Sequence, residues 1–365
     1  MNRISSALDL ARNFRRHRAV AHPNTARFAY HWMKGSVELP YGPVKMHIEP
    51  TSLCNLRCVM CPQSLDAIGD DFGYMDLSLF EKIVEQAEGH VREVNLFFRG
   101  ESLLHKRIFD MIRICADAGI VSNISTNATM LTEDYSEQLI KAGLGKMTIS
   151  FDAGEPEMYE KMRQGAKFKR TLRNVLQFLH EKRRSGLSNP YVVMQVIQLW
   201  GKGSTGLIPE IPPDFIRRFD GLPVDEWDSL WAHGWAGTMG NDGDEYSARP
   251  IGPHYFPCNW LWKSMAVYWD GTVPACCADF SNEQIVGDLN DNSLMEVWNG
   301  KGMQAIREAQ ISGDLSGYKL CASCDAIWQD PGSSWKLFSV LRSITTRSPL
   351  PSLVRQKRAK PVIET

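Results

Sequence analysis

The chain reads as an α/β protein: a partial (β/α)6 barrel of the TIM-like kind, with a small cysteine-bearing module at its C-terminal end. Two observations predict this. Between residues 43 and 240, short β-like runs alternate with helical stretches, six strands in all. After a loop rich in Gly and Pro, residues 258–330 carry five of the nine cysteines. Strands alternating with helices imply a parallel sheet with right-handed crossovers. The active site is then expected at the C-terminal ends of the strands.

The elements follow in order. Residues 44–49 form the first strand. The next helix starts near Ser78, with Glu81 completing a capping box, and its apolar positions Leu79, Phe80, Ile83, Val84 and Ala87 share one face. Residues 94–98 are the second strand. His105 to Ala118 is helical and stops at Gly119. Residues 121–125 and 146–151 are the third and fourth strands, separated by a helix over 132–142. Helical sequence runs from about Pro156 to Lys182. A fifth strand covers 191–199, a short helix 213–219, and a sixth strand starts at Val224. Gly and Pro mark loops at 201–212 and 236–257.

The expected organisation is a basic helical extension over 1–42, the barrel over 43–240, a linker at 241–257, the module over 258–330 and a basic tail over 331–365. Ile4, Leu8, Ala11 and Phe14 recur at helical spacing among five arginines. That helix is expected to pack on the main domain, with docking to a membrane surface as the alternative. The tail beyond about 345 has few packing residues and is expected to be mobile.

Of the 365 residues, 43% are hydrophobic and 23% charged, as in ordinary globular proteins. A net charge of −1 leaves no global field to draw in nucleic acid. No apolar run reaches the roughly 18 residues of a membrane span, and no secretory h-region opens the chain. A cytoplasmic location is expected. An odd cysteine count there argues against a disulfide framework. All but Cys115 fall in two groups, which points to metal.

The first group is Cys54, Cys58 and Cys61, spaced C-x3-C-x2-C directly after the first strand. Three thiolates on one loop can hold three irons of a [4Fe–4S] cube, leaving one iron open. Structural zinc wants a fourth ligand at tighter paired spacing, and none follows nearby. The segment resembles the radical S-adenosylmethionine (radical SAM) superfamily. The resemblance extends over roughly 43–330. Arg99-Gly100-Glu101-Ser102 ends the second strand and is similar to the Gly-Gly-Glu-Pro motif that binds the cofactor's amino group, with Arg99 and Ser102 as departures. By resemblance, Gly100 and Glu101 carry that role. Ser125 and Asn127 would contact the cofactor's ribose or carboxylate, and Arg163 would pair the carboxylate. Met60 stands where the family usually has an aromatic residue against the adenine, and a thioether packs on such a ring.

The second group is Cys258, Cys276, Cys321 and Cys324, with Cys277 beside Cys276. Residues 269–279 read as a hairpin with an Asp-Gly turn. This looks like the auxiliary-cluster module called SPASM or, in short form, twitch. Four cysteines fit one fully ligated [4Fe–4S] cluster, whereas a zinc ribbon is the competing reading. Similar spacing occurs in radical SAM dehydrogenases that oxidise a secondary alcohol of an aminocyclitol. Adjacent hairpin residues face opposite ways, so Cys277 is either a spare thiol or a hydrogen-atom donor to a substrate radical. Cys115 is expected in the core.

Trp227, Trp231, His233 and Trp235 cluster near the end of the sixth strand. They are either barrel core or a substrate wall in which His233 hydrogen-bonds or accepts a proton. The resemblance implies reductive cleavage of S-adenosylmethionine to a 5′-deoxyadenosyl radical and hydrogen-atom abstraction from substrate. The preferred reading is oxidation, or epimerisation, of a sugar or cyclitol-type small molecule. A reducing partner such as flavodoxin or ferredoxin is implied. A peptide-modifying maturase is the alternative, and 1–42 is too short and helical for the usual leader-binding winged helix. A non-catalytic iron–sulfur or zinc protein is the reading from another class.

Overall fold

A computed structural model describes residues 23–329 except 66–68, 70, 202–203, 205–207 and 238–253. The helix expected within 1–22 and the tail from 345 lie outside the described residues. Among those described, Pro23–Lys34 (α1) is helical.

The core is a seven-stranded, fully parallel sheet. Six strands come in chain order: β1 (Lys45–Ile48), β2 (Glu93–Asn95), β3 (Val121–Thr126), β4 (Lys146–Ser150), β5 (Tyr191–Gln198) and β6 (Glu226–Trp231). The seventh, β7 (Ser264–Val267), pairs with β1 on its free side, Lys45 opposite Ser264 and Ile48 opposite Val267. β6 and β7 are the two ends of the sheet, so the barrel is open. The boundary at 257/258 assigns β7 to the module, but the strand belongs to the barrel sheet. The physical reason is the edge of β1, whose backbone donors and acceptors need a partner.

Alternation sorts each strand's side chains. Met46, Ile48, Val94, Ile124, Met147, Ile149, Val192 and Met194 are buried in the main apolar cluster. The opposite register points His47, Asn95, Asn123, Ser125, Ser150, Gln195 and Asp228 the other way, into the barrel. These groups bond to one another: Asn95 Nδ2 to His47 Nε2 at 3.0 Å, Asn123 Nδ2 to Asn95 Oδ1 at 2.9 Å, and Gln195 Nε2 to Asp228 Oδ2 at 2.9 Å. A polar ladder inside an apolar shell follows directly from the strand period.

Two local expectations change. The helix α2 (Leu77–Ala87) is capped by Asp76, whose carboxylate accepts from Ser78 N at 2.8 Å, rather than by a Ser78–Glu81 box. Asp76 lies one residue before the helix and is already an acceptor of the preferred type. A reciprocal capping box instead opens the helix Leu294–Trp298, from Ser293 and Glu296. The expected single helix over 156–182 is two, Pro156–Met162 and Phe168–Ser185. Between them, Arg163–Gln164 forms a short antiparallel bridge to Arg57–Cys58, and Gly165 takes a left-handed φ of 96°. That break carries Arg163 to the cysteine loop.

The Asp270-Gly271 turn forms, with Tyr268 N bonded to Thr272 O at 2.9 Å and Gly271 at φ 96°. Thr272–Pro274 (β8) then pairs antiparallel with Ile285–Asp288 (β9). Among the described residues no helix is long and apolar enough to cross a membrane.

Candidate active site

A cavity of about 320 Å³, open to solvent, lies at the C-terminal ends of the strands. Cys54, Cys58, Met60, Cys61, Gly100, Glu101, Ser125, Asn127 and Arg163 all line it, together with Cys277. The sequence reading therefore brought most of its candidates to one place.

The cysteine loop is held by its backbone. Glu101 N donates to Leu53 O at 2.8 Å, Gln63 Nε2 to Ser52 O at 2.7 Å, and Thr51 Oγ1 to Gly73 O at 2.7 Å. Gly100 lies against this loop so closely that a Cβ would stand 2.3 Å from Thr51 O and 2.5 Å from Leu53 O. The glycine is required by close approach, not by φ.

Glu101 is buried, and burial pushes its carboxyl up. The Asn127 N–H at 2.8 Å and the Thr126 hydroxyl at 2.8 Å act in the opposite direction. Asn127 Nδ2 donates to Asn55 Oδ1 at 2.9 Å, tying the end of β3 to the cysteine loop. Ser102 donates to Leu96 O, which fits a hydroxyl where the family has Pro.

Arg163 is engaged within the protein. Its Nε stands 2.7 Å from Asp152 Oδ2 as an ion pair not aligned as a hydrogen bond, and its Nη1 is 3.9 Å from Cys58 Sγ. Burial works against the guanidinium charge, but Asp152 and Cys58 more than offset it. Truncation by Arg163→Met would strand a buried carboxylate. It is expected to cost about 3–5 kcal/mol in denaturant unfolding, whereas a loss under about 1 kcal/mol would show the pair to be dispensable.

The thiols show what the loop is built for. Burial raises Cys54 to about 12 and Cys58 to about 11, and raises Cys61 as well. Each neighbouring sulfur raises Cys54 further. Such a set stays protonated by itself and suits a cationic centre that displaces the protons.

A second, much smaller cavity of about 30 Å³ is lined by Cys258, Cys276, Cys321 and Cys324 among apolar side chains. Burial raises the Cys258, Cys276 and Cys321 thiols. Gln310 holds the first of them, its Oε1 accepting from Cys258 N at 2.9 Å and from Tyr255 Oη at 3.0 Å. Among the described residues, no three Cys, His, Asp or Glu side chains converge on a point as ligands of one ion. The sulfurs of the two groups line two cavities. Cys276 and Cys277 line different cavities, and burial with Cys324 nearby raises Cys277 to about 12. Cys115 is buried in the main core.

His233 is exposed and is not among the residues lining the cavity. The strand ends at Trp231, so the alternation that would have aligned His233 with the tryptophans stops before it. Trp227 packs on Phe215 and Phe219 as core. Trp235 alone of the four lines the cavity, its Nε1 donating to Met60 O at 3.0 Å.

Sequence reasoning missed His47 and Gln195, which line the cavity floor. Burial, with Lys45 and Lys263, lowers His47 to about 3, so its ring is neutral. Strand alternation was the available signal. It also missed the Arg99 contacts described below.

A family model described as the radical SAM superfamily matches residues 48–195, and one described as the SPASM iron–sulfur cluster-binding domain matches 258–325. A curated relative, the tungsten-containing aldehyde ferredoxin oxidoreductase cofactor-modifying protein of Pyrococcus furiosus, is 37% identical over 110 residues, 29% of this chain and 30% of that one. The chain spans 30% to 59% of the length of the first curated relatives it matches. BtrN in complex with AdoMet and 2-DOIA shares the fold at TM-score 0.51 and 18% identity, over 79% of this chain and 94% of that one. Streptococcus suis SuiB bound to the precursor peptide SuiA does so at TM-score 0.60 and 14% identity, over 92% and 79%. With both models in order on one chain, the protein carries a radical SAM domain followed by a SPASM domain, the first of a kind that binds a [4Fe–4S] cluster with S-adenosylmethionine and the second of a kind that binds auxiliary iron–sulfur.

Proposed function

We propose that the chain oxidises or epimerises a sugar or cyclitol-type small molecule. Cys54, Cys58 and Cys61 would hold the cofactor-binding cluster, and Cys258, Cys276, Cys321 and Cys324 the auxiliary one. When bound, these groups supply a 5′-deoxyadenosyl radical that takes a hydrogen atom and an auxiliary centre that accepts an electron. The observation that carries the reading is the split of Cys276 and Cys277 between two cavities. It brings the auxiliary site within one residue of the reaction cavity, where an electron leaving the substrate can be received.

The protein's own share is binding and orientation. Gly100 and Glu101 would receive the cofactor's amino group, with Ser125 and Asn127 at its ribose or carboxylate and Met60 at its adenine. Arg163, paired with Asp152, favours the carboxylate by charge. His47 and Gln195 on the cavity floor suit substrate hydroxyl or amino groups. Cys277, which lines the cavity, would return the hydrogen atom to carbon on the epimerising branch. A reducing partner of the flavodoxin or ferredoxin kind would feed the first cluster.

The related fold of BtrN holds 2-DOIA and that of SuiB a precursor peptide, so products decide. With dithionite, S-adenosylmethionine and a panel of sugars and aminocyclitols, a product lacking a pair of hydrogen atoms marks oxidation. A product of unchanged mass in ordinary water that gains one deuterium in heavy water marks epimerisation. Turnover of peptides alone would overturn the small-molecule reading. Cys321→Ala is expected to remove about four irons and leave the first cluster's spectrum intact; an unchanged iron count would refute the auxiliary assignment.

A further inference from the structure

Arg99 occupies the place of the first glycine of the cofactor-binding motif, and its guanidinium is fully buried. Nε and Nη2 meet both oxygens of Glu49 at 2.8 Å each, a bidentate pair. Nη1 reaches Asp71 Oδ2 at 2.8 Å, Asn282 Oδ1 at 3.2 Å and Phe280 O at 3.4 Å. The guanidinium also lies 3.8 Å from the centre of the Tyr268 ring. Glu49 accepts from Trp269 N at 3.2 Å, and Asp71 from Trp269 Nε1 at 3.0 Å and Asn282 Nδ2 at 3.1 Å.

These contacts join two regions that the chain separates widely. Glu49 directly follows β1, five residues before Cys54, and Arg99 adjoins Gly100–Glu101. Tyr268, Phe280 and Asn282 bracket Cys276 and Cys277. Tyr268 Oη donates to Asp279 O, and the Asp279 carboxylate accepts from Glu283 N and Gln284 N at 3.0 and 2.8 Å. Phe280 in turn packs on Phe98 and Trp235 over the cavity. A planar five-donor fork can hold two carboxylates, an amide and a ring at once, which an ammonium cannot.

We infer that Arg99 is a positioning residue that sets the Cys276–Cys277 turn, and so the auxiliary cluster, against the reaction cavity. The inference rests on the two-cluster reading above. The predicted effect is read at the auxiliary centre and in coupling.

The test uses the full chain carrying Arg99→Lys, Glu49→Gln or Asn282→Ala, each reconstituted anaerobically. Electron paramagnetic resonance and potentiometric titration read the auxiliary cluster without any substrate. The expected result is a wild-type iron count with a shifted auxiliary signal and midpoint potential. Once a substrate is in hand, product formed per 5′-deoxyadenosine should fall by up to about a hundredfold, as for small displacements of a reacting group. Should Arg99→Lys fail to fold, Asn282→Ala removes the module's two side-chain contacts to Arg99 and Asp71 and leaves the Arg99–Glu49 pair, so it should shift the same signal less. Wild-type signal and potential in the folded variants would overturn the inference. A wild-type protein lacking a second cluster would instead overturn the reading on which it rests.

Discussion

Cys58→Ala is expected to reduce 5′-deoxyadenosine release to background and to remove about four irons. The substitution is small and leaves the backbone bridge from Cys58 to Arg163 intact, so the barrel should persist with near-wild-type circular dichroism. What is lost is one of three thiols on a loop that has no spare cysteine among its lining neighbours except Cys277, which serves the other side of the cavity. Retained cleavage would sink the assignment of the first cluster.

Gly100→Ala carries the second large effect. The added Cβ would meet Thr51 O and Leu53 O at 2.3 and 2.5 Å, distances no carbon and carbonyl oxygen share. Neither neighbour is a flexible side-chain end, so one backbone segment must move. Overpacking of this kind is expected to cost about 3 kcal/mol or more. The displaced segment is the one that bears Cys54 and receives the Glu101 N–H, so iron incorporation should fall with stability. Gly317→Ala is the control, since nothing lies within 4 Å of its Cβ position. Equal urea midpoints for the two variants would refute the close-approach argument.

Much of the barrel was legible because its strands are β-rich runs ended by Gly, Asn or Asp. Their alternation fixes which side chains face inward, and His47 could have been found by that rule alone. β7 was not legible: four residues, Ser264–Val267, carry no clear period, and their register depends on a β1 edge over two hundred residues away. The break at Arg163 escaped because the flanking helical pattern continues on both sides, although Gly165 was a signal. His233 was misplaced by extending strand alternation past Trp231, where the backbone turns. Arg99 was visible as a departure from the motif, but its partners Glu49, Asp71 and Asn282 converge only through the fold.

The cysteines divide along the same line. Spacing placed Cys54, Cys58 and Cys61 on one loop, and the loop does bring them to one cavity with Glu101. Spacing by itself pairs Cys321 with Cys324; Cys258 and Cys276 join them through the resemblance, and the fold brings all four to one cavity. That grouping needs the buried Gln310, which holds the Cys258 backbone from the helix Lys301–Ser312.

The measurement that tests the account most directly is 5′-deoxyadenosine release by the anaerobically reconstituted chain, with dithionite and S-adenosylmethionine, alongside its iron content. The account predicts about eight irons per chain and release that depends on Cys58 and not on Cys321. A chain that binds its full complement of iron yet releases no 5′-deoxyadenosine, with or without candidate substrates, would contradict it.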